Sequence, residues 1–422
     1  MSEFLITSFW IFLFLFCIYR NRFFEIDGIP KIYCFAAFGF KLLLGFANYY
    51  IWLNIIGHGD SLRYVHDSDL VYQTLWSHPA DYFQLLIGHS KEHVPQHLKY
   101  ITENLSIEWH VSEYNMVRLL SVLNLFSFGS AWGNIAIISF LSFAASTALI
   151  KTLIKYFHPD SSKKFLLFAI VFFIPSIVFW SSALLKEGPT LILLSILCIQ
   201  LLHMENKFSS RHIMYTLIAL FLLFLIRDYL LLLILPNLLL FFILRIRRSQ
   251  KSWHSFAFSA LFILLILIID INGHFFTSLL NHQQAYFLEN PSDPDYHFHL
   301  LDGTTSDLIK SVPSALNNIL FRPNLFHSTD PFRIYQSVEL LLTWCGIIYL
   351  LIRFRPTRQN LQTRNFFLLF SIELLLVYGL LVTDADTLSR YRTIPLYFLM
   401  IILVSSGDPE QFTKINMYKI LS

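Results

Sequence analysis

Residues 165–185 read FLLFAIVFFIPSIVFWSSALL, a stretch without a charged side chain. A helix satisfies its own backbone hydrogen bonds in lipid, and about 20 apolar residues cross the hydrocarbon core. The rest of the chain is similar, because 55% of its 422 residues are hydrophobic and only 14% are charged. A soluble domain carries about 25% charged residues. The sequence therefore predicts an integral membrane protein and excludes a soluble one.

We expect an all-α polytopic protein with about eleven spanning helices, forming one membrane-embedded domain over residues 1–422. The stretch 212–244 would measure about 50 Å as one helix, against roughly 30 Å of hydrocarbon, so we divide it at Arg227 and Asp228. Residues 116–129 are too short to span comfortably, and we expect them at the interface. The predicted spans are residues 4–19, 31–56, 130–150, 165–185, 189–204, 212–226, 229–244, 254–270, 337–352, 366–382 and 393–406.

Lysine and arginine residues gather on one side of these spans. They occupy the connections after the first, third, fifth, seventh and ninth spans, and the C-terminal tail. By the positive-inside rule this side is cytoplasmic, with the N-terminus outside and the C-terminus inside. Two long loops, about 57–115 and 271–336, then lie on the outer side, and the first carries eight acidic against three basic residues. We expect both loops to contain short interfacial helices.

Charged side chains also occur in short connections on the predicted outer side. A charge at membrane depth costs roughly 2.5–3.5 kcal/mol on insertion scales, so a retained charge usually binds a substrate or pairs with another charge. Mixed charges at one end of a bundle predict a polar cavity, where cations hold an anion and a carboxylate transfers a proton. Alternatively, they only end helices or reach lipid headgroups. The residues are Asp60, Arg63, Lys186, Glu187, Arg227, Asp228, Asp384, Asp386, Arg390 and Arg392.

The segment around Lys186 has a second feature that suits an anion. Gly188 and Pro189 interrupt the apolar run before a short helix, and proline is favoured at the first helical position. A helix that begins at Pro189 directs free N–H groups and its positive dipole end toward the outer face. We interpret this N-terminus and Lys186 as a phosphate or diphosphate site. Broken helices also mark substrate sites in membrane bundles.

Two charges fall in the middle of predicted spans, Lys41 in the second and Glu373 in the tenth. They form either a structural ion pair or part of a proton or ion pathway. In the first outer loop His89, His93 and His97 recur at every fourth residue, but a proline interrupts that pattern and no HExxH sequence occurs. We expect no metal site and no cofactor, and a divalent metal is not indicated.

Three short motifs resemble membrane enzymes of glycan assembly. The outer loop that opens with Gly59, Asp60 and Tyr64 resembles polytopic GT-C-type glycosyltransferases, which take sugars from polyprenyl-linked donors on the non-cytoplasmic face. The segments PSIVFWSSALLKE (175–187) and SRYRTIP (389–395) are similar to bacterial membrane proteins of polysaccharide assembly, including EpsG-like and Wzy-like polymerases. With the residues around these motifs, the resemblance touches about 40 residues of the chain.

The resemblance implies roles for individual residues. In GT-C enzymes an aspartate at the start of the first outer loop is the catalytic base, which corresponds to Asp60, although this loop follows the second predicted span rather than the first. The residues that hold the lipid phosphate would be Lys186, Arg390 or Arg392. In a polymerase, arginines hold the lipid diphosphate and Asp60 matters less. Glu187 is a second candidate base for an acceptor hydroxyl.

We therefore expect an enzyme, a membrane glycosyltransferase or polysaccharide polymerase that uses a polyprenyl-phosphate- or diphosphate-linked sugar at the extracytoplasmic face. Its expected partners are that donor, the bilayer and a glycan or lipid acceptor, without nucleic acid, in a bacterial inner membrane. The alternatives are a transporter or flippase of lipid-linked oligosaccharide and a non-catalytic scaffold. The candidate catalytic residues are Asp60 and Glu187. The candidate substrate-binding residues are Arg63, Lys186, Arg227, Asp228, Arg390 and Arg392.

Overall fold

Helices form the regular structure of this chain, and no β-strand occurs within the residues described. It forms two compact units, Met1–Lys155 with Val171–Leu231 and Tyr156–Ile170 with Leu232–Ser422, and each is described by itself. The expectation of one membrane-embedded domain stays a prediction. The computed structural model describes residues 2–88, 95–109, 111–247, 253–273, 275–288, 300–325, 331–353 and 359–407.

The first unit combines long apolar helices with the helices of the first predicted outer loop. Its α2 continues into a π-helical turn at Trp52–Ile56, which ends at Gly57 with a φ of 78° that suits glycine. The end of α7 and most of α8 belong to the second unit. The helices are α1 (Ser2–Arg20), α2 (Lys31–Ile51), α3 (Asp60–Ser77), α4 (Pro79–Ile87), α5 (Lys99–Thr102), α6 (Tyr114–Ser127), α7 (Ala131–Phe157), α8 (Ser161–Phe173), α9 (Pro175–Ser182), α10 (Glu187–Asn206) and α11 (Ser210–Arg227).

The second unit is arranged around its helix α17, which packs against α13, α14, α15, α18 and α19. Asn318 Nδ2 donates to the Gly379 carbonyl at 3.1 Å, and the rings of Phe367 and Phe398 stack with centroids 4.8 Å apart. The helices are α12 (Leu230–Ile246), α13 (Trp253–Gly273), α14 (Phe275–Leu288), α15 (Thr305–Phe321), α16 (Pro331–Arg353), α17 (Leu361–Leu381), α18 (Ala385–Tyr391) and α19 (Thr393–Ser406).

Every predicted span is helical along most of its length, and the chain is an all-α polytopic integral membrane protein. Within the described ranges, 8 helices are long and apolar enough to cross a membrane, or 9 if α8 and α9 form one bent span. The two remaining predicted spans contain the shorter apolar helices Leu230–Ile246 and His254–Ile268. The count of eleven is therefore not confirmed, and the sidedness stays a prediction.

The surface of the helices explains why they need lipid. Large apolar side chains are exposed along α1, where Phe4 is 76% and Phe12 is 73% exposed. A soluble monomer rarely exposes apolar patches of this extent. Inside the first unit, aromatic rings of α1, α2 and α7 pack together, and Phe14 stacks on Phe140 with centroids 4.1 Å apart. The apolar residues thus face both lipid and the interior.

The predicted span 165–185 is not one straight helix. It divides at Ile174 into α8 and α9, which are bent by 46° at the break. Pro175, at the start of α9, has no backbone N–H and disfavours a helical conformation at the residue before it, and Ile174 is extended with a ψ of 115°. The predicted division of 212–244 is confirmed, because α11 ends at Arg227 and α12 begins at Leu230.

The first predicted outer loop folds into helices that pack on one another, with α3 against both α4 and α6. The carboxylate of Asp67, which is fully buried, accepts hydrogen bonds from Ser106 N at 3.0 Å, Ser106 Oγ at 2.6 Å and Ile107 N at 2.8 Å. This carboxylate therefore attaches the loop before α6 to α3. Helix α6 covers most of the interfacial segment 116–129, and it exposes Phe126 while burying Leu120.

Candidate functional site

The connection between α9 and α10, residues 183–186, is a non-helical segment inside the first unit, and we call it the α9–α10 break. Ala183, Leu184 and Leu185 are at most 2% exposed, and Lys186 is half-buried. Irregular backbone at membrane depth is tolerated where protein buries it or where it lines a polar cavity. This irregular segment, with a half-buried lysine at its end, makes the break a candidate ligand site in the first unit.

Glu187 and Arg227 form a buried ion pair beside the break. The guanidinium Nη2 of Arg227 donates to Glu187 Oε1, and the two side chains are 2% and 1% exposed. The Nη1 of Arg227 donates to the hydroxyl of Tyr229 at 2.9 Å. Helices α10 and α11 pack along each other, so the first turn of one lies beside the last turn of the other. The structure thus brings together two sequence-predicted site residues that are far apart in the chain.

The N-terminus of α10 differs from the prediction in position and surroundings. The helix begins at Glu187 rather than at Pro189, and its first residues are buried rather than directed into outer water. A Cβ on Gly188 would lie 2.8 Å from the Ser181 carbonyl oxygen and 3.0 Å from Ile138 Cγ2. The missing side chain of Gly188 is the physical reason that the helix end packs so closely against α9 and α7.

Lys41 contributes a further cation, which the sequence did not assign to this site. Its ammonium is buried and donates to Ser181 Oγ at 2.7 Å, on the last turn of α9. Ser142 on α7 donates to the Ser181 carbonyl at 3.4 Å. The position of Lys41 in the middle of an apolar span was the available signal. Its partner Ser181 carries no such signal, because serine is common in membrane helices.

Lys186 and Asp228 flank the ion pair in the sequence. Lys186 is the N-cap residue of α10, and its carbonyl accepts from Thr190 N at 3.0 Å and Thr190 Oγ1 at 2.7 Å. Asp228 is exposed, and its Oδ1 accepts from Tyr229 N at 2.9 Å. A carboxylate in the first turn suits the positive end of the helix dipole, so Glu187 already compensates part of the charge predicted to attract a phosphate.

Asp60 and Arg63 lie on the first turns of α3. Both are exposed, and α3 follows Gly59, whose φ of 137° is outside the range that other residues readily adopt. The guanidinium of Arg63 donates to the Ser106 carbonyl at 2.6 Å. Asp60 is thus an exposed carboxylate, whereas the buried Asp67 is held by backbone donors.

Arg390 and Arg392 belong to the second unit. Arg392 is 4% exposed and donates to the Arg322 carbonyl and, at 3.0 Å, to Ser389 Oγ. The guanidinium carbon of Arg390 lies 5.7 Å from the ring centroid of Tyr391. Both arginines therefore contact other protein groups near the start of α19.

The acidic residues of that segment also have protein partners. Asp386 pairs with Arg333 at 3.3 Å. Asp384 is the N-cap of α18, where its side chain accepts from Thr387 N at 2.7 Å. These contacts stabilise the connection between α17 and α19.

Among the described residues, the histidines of the first predicted outer loop do not form a metal site. His97 Nε2 lies 2.7 Å from Gln84 Oε1 and 3.8 Å from Asp81 Oδ1, while His89 and His93 lie outside the described residues. Across the described parts of the chain, no group of three or more His, Cys, Asp or Glu side chains is arranged to hold a metal.

Within the described residues, basic side chains gather at the α9–α10 break. Lys41 and Lys186 lie there together with the Arg227–Glu187 pair. Such a site suits an anionic group that approaches within the membrane. Comparisons of the chain with family models, with curated proteins and with solved structures found no match. The resemblance to GT-C-type glycosyltransferases and to EpsG-like and Wzy-like polymerases therefore stays a prediction.

Proposed function

We propose that this protein is a membrane glycosyltransferase or polysaccharide polymerase that uses a polyprenyl-phosphate- or diphosphate-linked sugar donor at the extracytoplasmic face. The observation that carries the proposal is the α9–α10 break, where the half-buried Lys186 lies beside the buried Arg227–Glu187 pair. A lipid-linked donor has an apolar tail that stays in the bilayer and a phosphate that needs cations at membrane depth. Basic side chains between apolar helices suit such a donor.

Each charged residue at the break has a distinct part in this proposal. Lys186, half-buried at the start of α10, binds the donor phosphate directly. Glu187 is a positioning residue, because its carboxylate holds the guanidinium of Arg227. Lys41 reaches the same region from α2 through its hydrogen bond to Ser181. Fixed cations stabilise the negative charge that develops on a departing phosphate or diphosphate.

The chemical step needs an acceptor hydroxyl and a base. The acceptor oxygen forms a bond to the anomeric carbon of the sugar, the bond from that carbon to the phosphate oxygen breaks, and the acceptor proton passes to a carboxylate. Asp60 is the favoured base because its side chain is exposed, so that an acceptor glycan can approach it. Glu187 is less suitable, since its carboxylate is engaged by Arg227. Arg63 and Asp228, both exposed, are proposed to contact the sugars.

Binding of the donor anion tests the proposal. The purified full-length chain is titrated in micelles with polyprenyl phosphate and with uncharged polyprenol as the reference. We expect Lys186→Ala to weaken polyprenyl phosphate binding about tenfold or more, because a hydrogen bond between charged groups contributes roughly 1.5–3 kcal/mol. Lys207→Ala is the matched control, since Lys207 is exposed just beyond the other end of α10. Equal binding of polyprenol, or unchanged binding by Lys186→Ala, contradicts the proposal.

Product formation tests the reaction itself. Membranes that contain the protein are given a lipid-linked sugar with a labelled residue, and transfer of the label to a lipid or glycan acceptor is measured. Cells with and without the gene are compared for their surface glycans. We expect labelled product and a surface glycan that depend on the gene, and an unchanged glycan together with no transfer contradicts the proposal.

A flippase of lipid-linked oligosaccharide is the second candidate function. The bend between α8 and α9 and the buried break favour it, because interrupted helices near the bilayer midplane form the substrate sites of many transporters. Proteoliposomes distinguish the two functions. A flippase moves the labelled lipid-linked sugar to the other leaflet without a new glycosidic bond, whereas the proposed enzyme makes that bond. The location in a bacterial inner membrane is part of the same proposal.

A further inference from the structure

Glu373 lies near the middle of α17 in the second unit, away from either end of this apolar helix. Its Oε2 accepts from Asn237 Nδ2 on α12 at 2.6 Å, and its Oε1 lies 2.6 Å from Ser259 Oγ on α13. Three helices thus bring one carboxyl group and two neutral polar side chains together. Asn237 and Ser259 are 5% and 7% exposed, while Glu373 is half-buried beside the exposed Ile372.

The orientation of Asn237 limits what this cluster binds. Its Nδ2 donates both to Glu373 and, at 2.9 Å, to the carbonyl of Leu233. Two acceptors on the same nitrogen fix the amide so that a donor, not an oxygen, faces the carboxyl group. A sodium or calcium ion needs several oxygen ligands. The cluster therefore suits a proton better than a metal ion.

The positions of Asn237 and Ser259 allow hydrogen bonds to Glu373 whether its carboxyl group is ionised or protonated. When the carboxylate is ionised, Ser259 and Asn237 each donate to one of its oxygens. When it is protonated on Oε1, that O–H donates to Ser259, whose hydroxyl rotates to accept, while Asn237 still donates to Oε2. No hydrogen bond is lost in the exchange, and the only required motion is rotation of a hydroxyl.

Other ionisable groups occur on the helices around Glu373. Those on α12, α13 and α17 are Arg245, His254, Asp270, Arg364 and Tyr378. Those on α14, α15, α18 and α19 are His282, Asp307, Lys310, Asp386, Arg390, Tyr391 and Tyr397. Within the described ranges, none of them forms a hydrogen bond or ion pair with the Glu373 carboxyl group. In these parts of the chain no cationic side chain pairs with the carboxylate to offset its loss of water on ionisation, which favours the neutral acid.

We propose that Glu373, with Asn237 and Ser259, forms a proton-binding site within the membrane that exchanges its proton with the medium. This function is independent of the proposed sugar transfer, because it rests on side chains of the second unit alone. In this proposal Glu373 is a proton carrier rather than half of a structural ion pair.

Infrared difference spectroscopy of the full-length protein in proteoliposomes tests the proposal. A protonated carboxyl group has a carbonyl stretch that a carboxylate lacks. We expect such a band at neutral pH in the wild type, its reversible loss in alkaline medium, and its absence in Glu373→Gln. Ser259→Ala should retain the band at a higher frequency, because the acid loses its hydrogen-bond partner. A missing band at neutral pH, or a band that alkaline medium leaves unchanged, overturns the proposal.

Chemical labelling provides a second measurement, which is made on the wild-type protein and does not depend on the folding of a Glu373 variant. A hydrophobic carbodiimide reacts with protonated carboxyl groups in lipid, and peptide mass spectrometry identifies the labelled residue. We expect labelling at Glu373 that decreases as the medium becomes alkaline. Glu339→Gln is the matched control, since Glu339 is half-buried on the spanning helix α16, and it should leave this labelling unchanged. Absence of labelling at Glu373, or selective protection by sodium ions, overturns the proposal.

Discussion

The guanidinium of Arg227, in the last turn of α11, donates to the carboxylate of Glu187, in the first turn of α10. This contact joins two helices at a depth where both side chains are almost fully buried. A buried ion pair is not always stabilising as a whole, but removal of one partner leaves an uncompensated charge. Removal of either partner should therefore destabilise the folded protein.

We expect Arg227→Ala to lower the free energy of unfolding by about 3–5 kcal/mol, because it strands the Glu187 carboxylate in a buried site. The double variant Glu187→Gln with Arg227→Met should recover much of that loss. Thermal and denaturant unfolding of the purified protein in detergent measure both. Lys31→Ala is the control, since Lys31 and Glu25 form a partly exposed pair at 3.2 Å, and such pairs contribute below about 1 kcal/mol. Equal effects of Arg227→Ala and Lys31→Ala would contradict this prediction.

Gly188→Ala is expected to destabilise the protein by about 1–3 kcal/mol through overpacking. Its Cβ would lie 2.8 Å from the Ser181 carbonyl oxygen, which is backbone and cannot rotate away. Gly39→Ala is the matched control, because a Cβ at Gly39 on α2 meets nothing within 4 Å. That control should be neutral or stabilising by up to about 1 kcal/mol. Unfolding midpoints in detergent compare the two, and a neutral Gly188→Ala would show that α10 does not approach α9 so closely.

Asp67→Ala should release the loop before α6 from α3. The buried N–H groups of Ser106 and Ile107 would lose their acceptor, and hydrogen bonds to a charged group contribute roughly 1.5–3 kcal/mol each. Limited proteolysis of residues 95–109 measures the release, and we expect faster cleavage than in the wild type. Asp69→Ala serves as the control on the same helix, because the Asp69 carboxylate accepts a hydrogen bond from Gln73, which also lies on α3. Similar cleavage of both variants would refute a specific role for Asp67.

Asp60→Asn is expected to reduce the rate of sugar transfer by about 10²–10⁴-fold, which is the usual contribution of a general base. Binding of polyprenyl phosphate should be unchanged, since the proposed role of Asp60 is proton transfer from the acceptor. The thermal unfolding midpoint should also be unchanged, because the side chain is exposed. Asp228→Asn, in which another exposed carboxylate is neutralised, should keep a measurable rate. Normal transfer by Asp60→Asn would remove Asp60 from catalysis and favour a polymerase that relies on cations.

Hydropathy was sufficient to predict where the spanning helices lie, because each run of apolar residues reports locally on its own preference for lipid. It also located the turn at Arg227 and Asp228, since one helix over both runs would exceed the bilayer thickness. It did not predict the bend at Pro175, because hydropathy counts proline only as an uncharged residue; the missing N–H of Pro175 was the available signal. The start of α10 was predicted two residues too late, at Pro189 rather than Glu187. Gly188 lies inside the helix, where its missing side chain permits close packing.

The amino-acid sequence by itself determined the all-helical membrane class, the approximate spans and the residues that carry charge at their ends. Only the tertiary structure decided which of these charges meet, because that depends on how each helix is rotated and how closely its neighbours approach. Glu187 faces Arg227, Lys41 reaches Ser181, and Glu373 lies between Asn237 and Ser259. These contacts join residues on different helices, and the energy that selects them comes from packing and from the need to satisfy polar groups in lipid.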